Sequence, residues 1–465
     1  MLLNSLTDLL LANRGHLTVS FTHHHSIPWS QFLTEVRSLT LLLKNKKARS
    51  IALCCDDSYL FSVAFFAALY ANKKVILPGN HQPAMLTSLS SEFELLVDDG
   101  LVAQTTKDSL QQSVITLPLM ATPELSSSAF QFTPLDLTTT SITLFTSGST
   151  GQPKAINKTL LMLNEEIKAL QNLFGDVVAD AAIVSTVSHQ HIYGLLFRVL
   201  WPLCAGRPFA AKDLTYTEQI IDYANQAYVL ISSPALLKRL QGGDGKGHYR
   251  AVFSSGGPLS SDASDRCRLL LNTTAFEIFG STETGGIGFR QQQSIDTPWH
   301  FFPEVSAMLG EESCLALTSP WLSEGLKETD QDTGYYQTSD QCDLLENKQF
   351  RLKGRVDKIV KIEEKRVSLV EVEAHLNELA WVAESAVIVV TEPQRIALGA
   401  LLTLTAEGEL ALQQLGKGRF WIKLRQQLRD WVEPVAIPRH FRITDEIPMN
   451  KQGKRLMQDI TRLFQ

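Results

Sequence analysis

The spacing of apolar residues changes character once along this chain. Over the first half, short apolar runs alternate with helix-length segments. Residues 50–55 predict a buried strand, 59–72 a largely apolar helix and 74–78 a second strand. Further strands are expected at 181–187, 228–232 and 251–254, each followed by a polar or glycine-bearing turn, and a helix at 159–174. Helices between short apolar strands imply βαβ units and a largely parallel sheet, which gathers ligand chemistry at the carboxyl ends of its strands. Residues 1–12 read as an amphipathic helix, not a signal peptide, because they carry Asp8 and no basic leader. Residues 105–140, rich in Ser, Thr, Pro and Leu, read as irregular connection.

Beyond Gly354 the texture shifts. Charges cluster over 355–373, strands are predicted at 385–390 and 396–403, a helix at 420–432 and a strand at 440–443. The expected class is therefore α/β: a large N-terminal domain of mixed sheets with flanking helices over 1–353, and a small α+β domain over 358–465. The junction falls near 354–357.

Composition narrows the function classes. Of the 465 residues, 44% are hydrophobic and 20% charged, as in an ordinary globular enzyme. A net charge of −6 gives no basic footprint for nucleic acid, and no apolar stretch has the length of a membrane span. The basic run 44–49 reads as a solvated turn. Six scattered cysteines form neither a disulfide framework nor a zinc spacing, which suggests a reducing cytoplasm. His23, His24 and His25 bring no further ligand spacing and read as a surface turn, and 242–247 as a flexible loop.

The candidate chemistry begins where a β-leaning run enters Thr146, Ser147, Gly148, Ser149, Thr150 and Gly151, then reaches Lys154. Glycines let backbone N–H groups converge on an anion, hydroxyls add donors and the lysine adds charge. The spacing differs from the Walker pattern. This segment resembles the phosphate loop of the adenylate-forming superfamily of acyl-CoA synthetases, peptide adenylation domains and luciferases. Other segments resemble that family in the same order. His189-Gln-His-Ile-Tyr-Gly194 resembles its acid-pocket segment, with His191 at the gating position. Ser254-Ser-Gly-Gly-Pro-Leu259 resembles the turn beside adenine and the acyl group, contributing Gly256 and Gly257. Phe279-Gly-Ser-Thr-Glu-Thr-Gly285 resembles the motif in which, by the resemblance, Phe279 and Gly280 lie beside the nucleotide, Thr282 contacts phosphate and Glu283 holds magnesium.

Thr338-Ser-Asp340 and Gly354-Arg-Val-Asp357 resemble the ribose-binding and hinge segments, which assigns Asp340 and Arg355 to the ribose and Asp357 to the hinge. Gly453-Lys454 resembles the C-terminal pair whose lysine bridges carboxylate and α-phosphate; Lys451 is a weaker match. The resemblance implies an AMP-forming acid–thiol ligase with a mobile C-terminal domain. It would use ATP, Mg2+ and a small carboxylic acid, with CoA or carrier-bound phosphopantetheine as acceptor. His191, Gly256–Gly257 and Gly285–Gly286 leave room for an aromatic or a medium acyl group, and the aromatic is expected. One departure matters: Glu364 stands where the common pattern has a glycine beside the pantetheine passage. That keeps open an enzyme loading only an acyl carrier protein, whose acidic face Lys361, Lys365 and Arg366 would suit. They would equally suit the CoA phosphates, or simply form an exposed hairpin. A non-catalytic adenylate binder is the remaining alternative, against which Lys454 and Glu283 both speak.

Overall fold

The computed structural model describes residues 3–23, 25–79, 81–119, 130–147, 153–242, 245–257, 259–294, 296–327, 334–355, 359–363, 365–392, 395–448 and 457–464. The chain divides into two compact units, one drawn from 1–79, 89–145 and 155–356, the other from 80–88, 146–154 and 357–465.

The larger unit is built on two sheets. In one, Ser50–Cys54 lies between Lys74–Leu77 and Leu95–Asp98, parallel to both, and Lys74–Leu77 runs parallel to Ser141–Ser147. Ile51, Val75, Leu95 and Ile142 align across this sheet, all buried, as the continuous apolar runs require. The helix Ser58–Tyr70 follows; nearly all its residues are buried, and Asp57 caps it by accepting from the amides of Tyr59 and Leu60. The second sheet carries a parallel strip, Ile183–Ser185, Val229–Ser232, Ala251–Ser255 and Phe276–Ser281 in spatial order. It turns antiparallel from Gly285–Gln291 onward, through Trp299–Phe301, Gln349–Arg355 and Tyr336–Leu345. The helix Leu160–Val178, capped by Thr159, packs Leu163, Ile167, Leu170 and Phe174 into the main core.

The smaller unit holds the antiparallel pair Val382–Glu392 and Arg395–Leu404, extended in parallel by His440–Ile443. Leu376, Leu398, Leu402, Phe420, Leu424 and Leu428 form its core. A short hairpin, Ile359–Ile362 with Lys365–Ser368, belongs to the same unit.

Four sequence expectations need correction. Residues 3–12 form no α-helix, only the 3-10 turn Leu9–Leu11. The Asn164 side-chain oxygen takes the Leu6 amide at 3.0 Å and the Ser5 hydroxyl at 2.9 Å, so the backbone is pinned as coil over buried Leu6, Leu9 and Leu10. The stretch expected to be irregular contains the helix Gln104–Ser109 and the strand Ser113–Thr116. The helix predicted at 420–432 spans Ala406–Leu428, interrupted at Gly416, whose φ of 70° breaks the helical path. The strand expected at 181–187 shortens to Ile183–Ser185.

Candidate active site

Four parallel strands end at one edge of the larger sheet, and the loops leaving three of them carry candidate residues. After Ala251–Ser255, Gly256 adopts φ +96°, a conformation that favours glycine, so the chain can leave the sheet sharply with Gly257 following. Ser255 donates its hydroxyl to the Ile278 carbonyl at 2.8 Å, fastening this turn to the neighbouring strand. Glu277 on that strand accepts the Leu259 amide at 3.0 Å and is itself gripped by Arg290 at 2.7 and 3.2 Å, so the returning chain is fixed as well.

Phe276–Ser281 then turns back through Thr282, Glu283 and Thr284 into Gly285–Gln291. Ser281 and Thr284 close the turn with reciprocal backbone-to-hydroxyl bonds of 3.1 and 3.2 Å. Gly280 faces Gly286, and a Cβ on Gly280 would lie 2.2 Å from the Gly285 carbonyl, so only glycine permits this approach. Gly285 has φ +65°, and a Cβ there would meet Trp321 Cδ1 at 2.4 Å. These glycines serve close backbone packing. Thr282 is half-buried and Glu283 buried. The Phe279 ring is buried between Trp299 and Phe350, with centroids at 5.6 and 5.8 Å.

Beneath the turn lies a network that the motifs did not point to. Lys158, fully buried, donates from Nζ to the Glu283 carbonyl at 3.0 Å and the Trp321 carbonyl at 2.6 Å. Ser323 adds its hydroxyl to the same Glu283 carbonyl at 3.2 Å. Glu166 Oε1 accepts the Gly286 amide at 2.7 Å, and the Trp321 indole donates to the Gly286 carbonyl at 3.0 Å. Burial pushes the Glu166 carboxyl upward, opposed by the Lys158 charge and the Gly286 amide.

Farther along the edge, His191 is exposed and begins the helical turn Ile192–Gly194. Its neighbour His189 is buried. One ring nitrogen meets the Ser58 hydroxyl at 2.8 Å and the other the Cys55 carbonyl at 2.9 Å, while Phe61 packs on its face at 4.2 Å. Burial, then the Arg198 charge, holds its pKa well below the usual 6.5, so the ring stays neutral. On the antiparallel side, Asp340 pairs in register with Arg355.

Residues 12–309 match the model of the AMP-binding enzyme, and 371–454 that of the AMP-binding enzyme C-terminal domain. The chain belongs to the AMP-binding enzyme family. Relatives of this AMP-binding enzyme include a 4-coumarate–CoA ligase from Halorhodospira halophila, 26% identical, matched over 68% of this chain and 75% of the relative. An acetyl-coenzyme A synthetase from Penicillium chrysogenum is 28% identical over 69% of this chain and 53% of the relative. Among solved structures, the amide bond synthetase McbA from Marinactinospora thermotolerans superposes with a TM-score of 0.82 at 16% identity, covering 99% of each chain. A double mutant of o-succinylbenzoate CoA synthetase from Bacillus subtilis gives 0.80, also at 16% identity and 99% of each chain. Those two likenesses concern the fold.

Within this AMP-binding enzyme, Gly148, Ser149, Thr150, Gly151, Asp357, Glu364, Lys451 and Lys454 lie outside the described residues. Thr146 and Ser147 end the strand Ser141–Ser147, and exposed Lys154 lies in the strand Pro153–Thr159. The Thr146 hydroxyl is buried with no hydrogen-bond partner among the described residues. Of the three cations in the short hairpin, Lys365 is ion-paired with Glu433. His23 Nε2 meets the Tyr223 hydroxyl at 3.0 Å; no group of three metal-ligating side chains occurs among the described residues. All six cysteines are free and buried. No described helix is long and apolar enough to cross a membrane.

Sequence motifs singled out none of Lys158, Glu166 and Ser323, and held His189 only as the first residue of the acid-pocket segment, with no role of its own. Glu166 did leave a trace: it falls at helical spacing on the apolar stripe of Leu163, Ile167 and Leu170, where a charge is out of place unless paired.

Proposed function

We propose that this protein is an ATP-dependent carboxylic acid ligase that forms an acyl-adenylate and passes the acyl group to the thiol of CoA. The observation that carries the reading is the Thr282–Glu283 turn, clamped at the carboxyl end of Phe276–Ser281 with Glu283 buried, within a chain of this family. The relatives' names, a 4-coumarate–CoA and an acetyl-CoA ligase, favour CoA as acceptor.

The donor set fits magnesium. Mg2+ is commonly held by one or two carboxylates together with substrate phosphates and water, and Glu283 is a single carboxylate with no cage of further ligands among the described residues. Bound there, the ion would neutralise charge on the phosphoryl oxygens. The buried Thr146 hydroxyl, without a hydrogen-bond partner among the described residues, suits a phosphate oxygen, and Lys154 adds a cation at the end of the same segment.

In the first step the substrate carboxylate oxygen attacks the α-phosphorus, the bond to the β-phosphate bridging oxygen breaks, and pyrophosphate leaves. Thr282 donates to a phosphate oxygen, Asp340 and Arg355 hold the ribose, and Lys454 joins the carboxylate to the α-phosphate while charge develops there. In the second step the thiolate sulfur attacks the acyl carbon and AMP departs with the C–O bonding pair. One lysine cannot occupy the site during both steps if the thiol needs its space, which gives Asp357 its role as hinge between 1–353 and 358–465.

The acid is small, and an aromatic one is the first class to test. Loading of a carrier protein's phosphopantetheine arm is the second reading, favoured by Glu364 where the pattern that the chain resembles has glycine. The Lys365–Glu433 pair removes one cation from the hairpin that would greet an acidic partner. Free buried thiols suit a reducing compartment such as the cytoplasm. Pyrophosphate exchange across aromatic and aliphatic acids tests adenylation, and comparing CoA with a phosphopantetheinylated carrier tests the acceptor. No exchange with any acid would remove the ligase reading and leave a nucleotide binder.

A further inference from the structure

The Glu283 turn is held from below by two charges that no motif calls for. Lys158 stands on Pro153–Thr159 with none of its side chain exposed. Glu166 stands on Leu160–Val178 and is 3% exposed. Taking an ammonium and a carboxylate out of water costs several kcal/mol each, and apolar residues of equal volume often stabilise a fold as well or better. The pair therefore needs a reason beyond stability, and its bonds supply one. Lys158 Nζ grips the Glu283 carbonyl at 3.0 Å and the Trp321 carbonyl at 2.6 Å. Glu166 grips the Gly286 amide at 2.7 Å. Trp321, held through its carbonyl by Lys158, returns an indole N–H to the Gly286 carbonyl at 3.0 Å. Every one of these bonds ends on backbone of the turn or on the residue that braces it. Gly285 and Gly286 let the turn settle this low, since a Cβ on Gly285 would come within 2.7 Å of Glu166 Oε2.

We propose that Lys158 and Glu166 are positioning residues: two buried polar side chains that together fix the backbone from Glu283 to Gly286 and thereby aim the Glu283 carboxylate. The inference rests on the proposed ligase reading only for what that carboxylate holds. These two side chains suit the task because each saturates a backbone group that an apolar substitute leaves unbonded. A one-ångström shift of a side chain that must meet a metal–phosphate pair is felt in rate, whereas the same shift in a packed core is felt mainly in stability.

The test is the double variant Lys158→Met, Glu166→Gln in the full chain, beside each single variant. Removing one charge leaves the other buried alone, so each single change lowers the unfolding midpoint, and the double change recovers most of it. Amide exchange over 281–286 in the unliganded protein, read by mass spectrometry, rises about tenfold or more in the double variant, with the rest of the larger unit unchanged. In pyrophosphate exchange the Mg2+ concentration for half-maximal rate rises on the order of tenfold, while the KM for the acid holds. A merely structural pair predicts the opposite: recovery of midpoint, turn protection and Mg2+ dependence together. That result overturns the proposal. If Lys158→Met fails to fold in both backgrounds, Glu166→Gln alone decides, since it keeps the side-chain oxygen but not the charge; wild-type exchange over 281–286 then refutes the pair's role. Absence of pyrophosphate exchange in the wild type would sink the ligase reading, and the amide-exchange comparison would still judge the pair.

Discussion

Asp340 stands opposite Arg355 across the antiparallel strands Tyr336–Leu345 and Gln349–Arg355. The register makes the two positions neighbours across the strands, which is where one ribose would need both residues. Asp340→Ala should raise the KM for ATP by roughly tenfold or more, the scale of a lost charged hydrogen bond, and leave the KM for the acid alone. Combined with Arg355→Ala the loss should fall short of the product of the two, because both would serve one ribose. Unchanged ATP dependence in either variant would remove that residue from the site.

Lys454 is assigned by its motif alone. Lys454→Ala should slow adenylate formation by on the order of 10²-fold while leaving thioester formation from a supplied acyl-adenylate largely intact. Asp357→Pro should show the reverse. Equal losses in both half-reactions for Asp357→Pro would count against the hinge.

Gly285→Ala combines a φ of +65° with a Cβ 2.4 Å from Trp321 Cδ1. It should cost at least about 1–3 kcal/mol in urea unfolding of the larger unit and depress adenylation further. Gly100→Ala is the control: its φ is +92° but nothing lies within 4 Å of the added atom. Equal effects at the two positions would show that strain, not contact with Trp321 and Glu166, governs the site.

His189 makes stability fall on the acid side. Its folded pKa lies well below 6.5, its ordinary value, so the unfolded chain takes up the proton first. The stabilisation is present above about pH 6.5 and is lost as pH drops below it. His189→Gln should flatten this slope. It should also cost roughly 1–3 kcal/mol at neutral pH if the Ser58 hydroxyl or Cys55 carbonyl is left unpaired. Unfolding midpoints between pH 5 and 8 report both.

Glu371 in the smaller unit has the opposite sign. Burial pushes its carboxyl from 4.5 up to about 7, so the folded chain holds the proton more tightly. Its contribution is fully present below about pH 4.5 and is lost as pH rises through about 7. Glu371→Gln should therefore raise the stability of this unit above neutral pH, by at most about 3 kcal/mol, and change little at pH 4. A midpoint at pH 8 that does not rise would contradict this.

Much of the fold was legible because its signals are local. Residues 50–55 and 74–78 read as strands from unbroken apolar runs, and the helix Ser58–Tyr70 from the segment between them. The residues pinned over Asn164 were not legible, because an amphipathic pattern cannot show that a distant side chain has claimed the Leu6 amide. The candidate site divides in the same way. Resemblance to the family's motifs pointed to Gly256, Thr282 and Glu283. Lys158 escaped because its task depends on Glu283, 125 positions later, and a lysine in a strand looks like a solvated one until the register is known. The role of His189 escaped for a similar reason: its partners, Ser58 and Cys55, lie on another sheet's loop.

The strand Pro153–Thr159 leads from Lys154 to Lys158, the lysine under the Glu283 turn. Ile156 and Lys158 face inward on it, and Asn157 outward. Because side chains alternate, inserting or deleting one residue between Lys154 and Lys158 would turn Asn157 or Thr159 into the slot that Lys158 fills. Length variation should therefore be forbidden between Lys154 and Lys158. Across descendants of this gene, the four-residue interval from Lys154 to Lys158 should outlast the identity of most residues within it.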